Sequence, residues 1–149
     1  IYGGSKEELS EIIKYKSDNL IIHPQIPYKK VKEKIIQMDV LLMPYTKEAT
    51  FSGNYGNIIN FMSPMKMFDY LGAGKIIISS NIKVLREVLK NDFNSLLIKN
   101  YLNVNEWKKK IDMIKLEKDK FVKIRLNALK TAQKYSWENR AKKMMRFSK

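Results

Sequence analysis

Apolar residues in this chain form short uninterrupted runs, and between the runs they are spaced three or four positions apart. The runs predict strands that are buried on both faces, because such strands are apolar throughout. They lie at 20–23, 40–43, 76–79 and 96–98, and residues 1–4 predict the end of a further strand. The spaced segments predict helices near 5–13, 31–38, 64–71 and 84–89. This alternation predicts an α/β fold, a Rossmann-like open parallel sheet flanked by helices.

The C-terminal segment is predicted to be helical and carries three apolar stripes at helical spacing. The stripes contain Trp107, Ile111 and Ile114; Phe121, Ile124, Ala128, Ala132 and Tyr135; and Trp137, Ala141, Met144 and Met145. We expect all three to be packing surfaces. A chain of 149 residues suits one domain. We therefore expect a single domain over 1–149, with an α/β core at 1–100 and C-terminal helices at 101–149.

The composition excludes several kinds of chemistry. The chain has no cysteine and a single histidine, His23, which excludes disulfides, thiolate nucleophiles and multi-histidine metal sites. Acidic residues show no clustered ligand spacing, so no metal is expected. No apolar run approaches the roughly 20 residues that a membrane helix needs. The chain begins at Ile1, and we expect it to be part of a longer protein.

Positive charge is concentrated towards the C-terminus. The formal net charge is +14, and residues 104–149 carry fifteen basic against five acidic residues. A basic segment of this kind faces solvent, nucleic acid, an anionic membrane or a polyanionic substrate. Lysine outnumbers arginine, the preferred reader of bases and phosphates, which disfavours nucleic acid.

The strongest candidate site follows a long loop at 45–60, whose Tyr45, Phe51 and Tyr55 are candidates for stacking on a base or a sugar. Ser63 is predicted to cap the next helix, with Pro64 as its first residue. The free N–H groups at a helix start attract an anion. Lys66 lies in that first turn, where a cation is unfavourable for the helix alone, and a bound diphosphate would explain it. Asp69 lies three residues later on the same helix face, where a carboxylate can accept hydrogen bonds from a ribose diol.

This segment, SPMKMFDYLGAGKIIISS at 63–80, resembles the nucleotide-sugar-binding segment of GT-B glycosyltransferases of the retaining group 1, or family 4, type. Four other segments resemble the same family more weakly: 1–4, 19–27, 39–45 and 135–138. The resemblance implies that Asp69 binds the ribose, where the family carries a glutamate. It also implies that the helix start receives the diphosphate and that a preceding loop grips the base. The residues at the helix start are Ser63, Pro64, Met65 and Lys66, and those at the base are Gln25, Ile26 and Pro27.

Two positions depart from the family pattern. Asp69 is a methylene shorter than the usual glutamate, and Phe61 stands where much of the family has a glutamate that touches the transferred sugar. The family's donor domain begins with a further strand and helix, and its N-terminal domain binds the acceptor. Both would precede Ile1.

The resemblance therefore implies that this chain is the donor-binding half of a bacterial glycosyltransferase that uses a nucleoside-diphosphate sugar. The enzyme would act in polysaccharide or glycoconjugate synthesis, and this chain alone would be inactive. Lys66 would stabilise the leaving diphosphate. Neither a metal nor a cofactor is expected, and the partners would be a nucleotide sugar and a glycan or lipid-linked acceptor. We expect a cytoplasmic protein, with peripheral contact to anionic lipid. Two alternatives remain, a basic nucleic-acid-binding domain without activity and a nucleotide-sugar epimerase-like half-domain.

Overall fold

Three parallel strands form the sheet of this chain, in the order β1-β2-β3. They are β1 at Val40–Met43, β2 at Ile76–Ser80 and β3 at Leu96–Ile98. The computed structural model describes residues 1–4, 6–15, 17–48 and 57–147. The chain divides into two units, Ile1–Ile35 and Ile36–Lys149, and the sheet belongs to the second.

The central strand β2 explains why the apolar runs are continuous. All five of its residues are buried, and successive side chains point to opposite faces of the sheet. Ile77 packs on one face with residues of the helices that flank it, whereas Ile76 and Ile78 pack on the other. The predicted Rossmann-like parallel sheet flanked by helices is therefore confirmed.

Six α-helices are present in the described parts of the chain. They are α1 at Lys6–Ile13, α2 at Tyr28–Gln37, α3 at Met65–Gly72, α4 at Val104–Leu116, α5 at Val122–Lys134 and α6 at Trp137–Phe147. The helix predicted near 84–89 is a single 3-10 turn, Leu85–Glu87. Ser5, the predicted start of the first helix, lies outside the described residues.

The first two C-terminal stripes pack on the sheet as predicted. Met67 and Leu71 of α3 share one core layer with Ala128 of α5. In the other layer, Ile114 of α4 packs with Ile124 of α5.

The prediction for the third stripe was wrong. Trp137 is 81% exposed, and Met144 and Met145 are also exposed. No residue of α6 belongs to either of the two core clusters that line the faces of the sheet in the described chain.

The predicted strand at 20–23 is also absent from the described first unit. His23 forms one parallel bridge with Tyr2, and beyond that bridge Gly3 and Gly4 adopt φ values of 105° and 100°. The bridge joins the last residue of the run to the second residue of the chain, and the Ile1 ammonium donates a hydrogen bond to the carbonyl of Ile21 at 2.7 Å, but the run forms no strand ladder within the described residues. Ile21 is 68% exposed, so this apolar run is not the buried strand that we predicted.

Candidate functional site

The start of α3 is the centre of the candidate site. Pro64 is the N-cap residue, with φ −66° and ψ 118°, and no side chain caps the helix. The helix therefore begins one residue later than predicted. Because Pro64 has an extended ψ, it cannot be the first helical residue, and the prediction that Ser63 is the cap was wrong.

Lys66 lies in the first turn of α3, and its ammonium faces an aromatic ring. The Nζ atom is 5.0 Å from the centre of the Tyr45 ring. Within the described parts of the chain, Lys66 forms no ion pair. Tyr45 comes two residues after the end of β1, and its N–H bonds to the carbonyl of Met43 at 3.0 Å. This contact places the start of α3 at the carboxyl end of β1, the edge at which open parallel sheets bind ligands.

Asp69 lies one helical turn after Lys66 and is partly exposed. Burial raises the pKa of Tyr70, and the charge of Asp69 raises it further. Burial likewise raises the pKa of Tyr45, with a smaller contribution from Tyr70. The two phenols therefore stay protonated at neutral pH.

The residues just before and at the start of α3 are open to solvent. Ser63 is exposed, Pro64 is partly buried, and Met65 is 72% exposed. Phe61 is 88% exposed, although its backbone is held in a turn by the carbonyl of Ile58 at 2.9 Å. An aromatic side chain is thus presented to solvent, four residues before the helix begins.

The two ends of the long loop are joined by a hydrogen bond. The Asn57 side chain donates to the carbonyl of Lys47 at 2.8 Å. Between these ends, residues 49–56, with Phe51 and Tyr55, lie outside the described residues.

The predicted base-binding residues lie in the first unit, between His23 and α2. Gln25 is exposed, Ile26 is partly buried, and the carbonyl of Pro27 accepts a hydrogen bond from the Lys30 N–H at 2.8 Å. Their role towards a base stays a prediction. Sequence reasoning missed the neighbouring ring stack of His23 on Tyr2. The two ring centres lie 4.3 Å apart, and the angle between the ring planes is 12°.

A shallow hollow of about 450 Å³ lies elsewhere in the second unit, beside the loop that follows β2. Three cations line it, Lys83, Arg86 and Lys90. Neither Lys66 nor Asp69 belongs to its wall. We place the candidate site at α3, because cation, carboxylate and uncapped helix start occur together there.

No group of three or more His, Cys, Asp or Glu side chains in the described ranges could hold a metal ion. Among the same residues, no helix is long and apolar enough to cross a membrane.

The sequence matches the family of group 1 glycosyl transferases over residues 1–135. The match covers most of the chain, which therefore belongs to this family. No sequence relative was found among curated proteins.

Solved structures of the same architecture include three informative relatives. Sucrose-phosphate synthase from Thermosynechococcus elongatus aligns with a TM-score of 0.73 at 15% identity, over 95% of this chain and 33% of its own. Anabaena HepE, solved in complex with UDP, aligns with a TM-score of 0.65 at 13% identity, over 89% of this chain and 35% of its own. The C-terminal domain of a group 1 glycosyl transferase (LpcC) from Francisella tularensis aligns with a TM-score of 0.62 at 14% identity, over 89% of this chain and 63% of its own.

At these low identities, the structural alignments show a shared fold alone. The chain spans about a third of the length of the first two relatives.

Proposed function

We propose that this chain is the donor-binding part of a glycosyltransferase that uses a nucleoside-diphosphate sugar. The observation that carries the proposal is the start of α3, where Lys66 has no ion pair within the described residues and Asp69 follows one turn later. Membership of the group 1 family supports it. So does the likeness to HepE, which has been solved with UDP and with UDP-glucose.

Each residue at the helix start has a chemical role in this proposal. The Lys66 ammonium and the first backbone N–H groups of α3 bind the diphosphate, and they stabilise the negative charge that develops as the sugar leaves. Asp69 accepts hydrogen bonds from the ribose hydroxyls. Ser63, Pro64 and Met65 shape the entrance to this anion site.

Gln25, Ile26 and Pro27 contact the base through their backbone in this proposal. The acceptor is a glycan or a lipid-linked glycan of polysaccharide or glycoconjugate synthesis, held by the remainder of the enzyme. Residues 1–149 alone are then expected to bind donor without transferring its sugar.

A calorimetric titration with UDP, GDP, ADP and their sugars tests this assignment. We expect a preference for one diphosphate, and at least about tenfold weaker binding of that nucleotide by Lys66→Ala and Asp69→Ala, because each removes a charged hydrogen-bonding group. Lys109→Ala and Asp119→Ala remove exposed charges outside the site and serve as matched controls. Equal affinities for all five proteins would contradict the proposed function.

The exposed face of α6 supports a second element of the proposal, peripheral contact with anionic lipid. Its apolar side carries Trp137, Met144 and Met145. The helix holds four cations against one carboxylate, and that carboxylate, Glu138, is paired with Lys142 at 2.6 Å. An apolar stripe with a tryptophan, bordered by Lys and Arg, is typical of helices that lie in the headgroup region.

Co-sedimentation with vesicles tests the lipid contact. We expect binding to vesicles with anionic lipid and little binding to neutral ones, reduced by Trp137→Ser but not by the control Leu102→Ser, which also alters an exposed apolar residue. Binding that does not depend on anionic lipid would contradict this element. So would a full-length enzyme in which the Trp137 face is covered by another part of the protein.

A further inference from the structure

The contact between Tyr45 and Lys66 joins the carboxyl end of β1 to the first turn of α3. Both the backbone and the side chain of Tyr45 are held in place. Its N–H bonds to the Met43 carbonyl, and its partly buried ring packs against the core layer that contains Met67 and Leu71. Lys66, by contrast, is exposed. An exposed lysine samples many rotamers, and ordering it costs conformational entropy.

We propose that Tyr45 is a positioning residue that holds the Lys66 ammonium at the anion site through a cation–π contact. The inference rests on the proposed function and adds a residue to it. The ring centre lies 5.0 Å from Nζ, within the range in which an aromatic face attracts a cation.

An aromatic ring is suited to this task for an electrostatic reason. A carboxylate partner would also fix the lysine, but it would neutralise the ammonium before the diphosphate arrives. The quadrupole of a ring orients the cation and leaves its full charge available. Burial keeps the Tyr45 phenol protonated, so the ring stays neutral.

Two substitutions separate the ring from the hydroxyl. Tyr45→Leu removes the aromatic face and keeps an apolar side chain against the core, whereas Tyr45→Phe removes only the hydroxyl. With UDP as the probe, we expect Tyr45→Leu to bind about two- to fivefold more weakly and Tyr45→Phe to bind like the parent. Tyr45→Met replaces the leucine variant if thermal denaturation shows that the latter is unfolded.

A double-mutant cycle with Lys66→Ala distinguishes positioning from a general structural effect. We expect Tyr45→Leu to have no further effect once Lys66 is alanine, because the ring then has no cation to hold. Equal losses in the presence and absence of Lys66, or a phenylalanine variant as weak as the leucine variant, would overturn the inference.

The cycle also separates this inference from the function on which it rests. If Lys66→Ala weakens UDP binding and Tyr45→Leu does not, positioning by Tyr45 is wrong and the proposed function stands. If Lys66→Ala binds UDP like the parent, the assignment of Lys66 in the proposed function is wrong, and the role of Tyr45 is wrong with it.

Discussion

Asp69 is the fifth residue of α3, and its carboxylate lies one turn beyond the ammonium of Lys66. It is also the residue at which the chain departs from the glutamate that its resemblance to group 1 enzymes led us to expect. Asp69 is partly exposed, and its charge raises the pKa of the neighbouring Tyr70.

We therefore expect Asp69→Glu to bind the preferred nucleotide at least as tightly as the parent, because the ribose diol needs a carboxylate within reach. Asp69→Asn keeps the shape and removes the charge, so binding should weaken about tenfold. Calorimetry with UDP, GDP and ADP measures both effects. A glutamate variant as weak as the asparagine variant would argue against ribose binding by this carboxylate.

The pKa values of Tyr45 and Tyr70 make a prediction at alkaline pH. Burial raises both pKa values in the folded chain, so the folded state keeps these protons at pH values where the unfolded state has lost them. The free energy of unfolding should therefore fall as the pH rises above about 10, the ordinary tyrosine pKa.

Chemical denaturation between pH 8 and pH 11 tests this, with Tyr45→Phe and Tyr70→Phe each expected to make the fall less steep. Tyr15→Phe, which alters an exposed tyrosine, is the control and should leave the slope unchanged. Identical slopes for all the variants would contradict the prediction.

At the scale of the elements, the C-terminal end of α3 is docked on α5. Gly74 follows the helix with φ +60°, and its carbonyl accepts a hydrogen bond from Arg125 Nε at 2.9 Å. A Cβ atom at this glycine would lie 2.9 Å from Leu129 Cγ. The turn that leads from α3 into β2 therefore requires glycine for its backbone conformation and for its close approach to α5.

Gly74→Ala should lower the free energy of unfolding by about 1–2 kcal/mol, because alanine is strained in the left-handed conformation and crowds Leu129. Gly72→Ala is the matched control. A Cβ at Gly72 meets nothing within 4 Å, so that variant should be neutral or slightly more stable. Urea denaturation of both variants gives the comparison, and equal stabilities would show that the turn relaxes.

Strands and helices with a strong apolar pattern could be predicted from the sequence, since burial on both sides of β2 leaves an unmistakable run at 76–79. The run at 20–23 is also largely apolar, yet within the described residues it forms a single bridge, between His23 at its end and Tyr2. Pattern alone does not reveal whether a partner continues alongside.

Similar reasoning explains the other differences. A cap assignment moves by one residue when a proline takes an extended ψ, as Pro64 does, because both conformations suit its ring. The apolar stripe of α6 has the periodicity of a packing surface, but periodicity alone does not predict what the stripe packs against. The spacing of Lys66 and Asp69 along one helix could be read from the sequence. The contact with Tyr45 spans 21 positions and depends on the fold, which brings the start of α3 to the carboxyl end of β1.

On the scale of the whole molecule, a net charge of +14 gives the chain an affinity for any polyanion. Fifteen of its 29 basic residues lie at 104–149, the part of the chain that follows the last strand. The electrostatic attraction of these residues for polyanions does not depend on the side chains at α3. Polyanion binding and nucleotide binding should therefore be separable by experiment.

We expect weak binding to duplex DNA that falls steeply with salt, is the same for unrelated sequences, and is unchanged in Asp69→Ala. Fluorescence anisotropy at several salt concentrations measures this. Binding that resists salt or discriminates between DNA sequences would instead favour a nucleic-acid-binding domain. Loss of nucleotide binding in the same Asp69→Ala protein would show that the two affinities are separate.

The exposed thioether of Met65, the first residue of α3, gives the site a chemical reporter of its own. Methionine sulfur is readily converted to the sulfoxide by peroxide when it is accessible. A ligand seated at the helix start should protect Met65 from peroxide, whereas Met144 and Met145, equally open on α6, should react at the same rate with or without it. Peptide mass spectrometry of peroxide-treated protein would then reveal occupancy against an internal standard, and equal protection of all three sulfurs would place the ligand elsewhere.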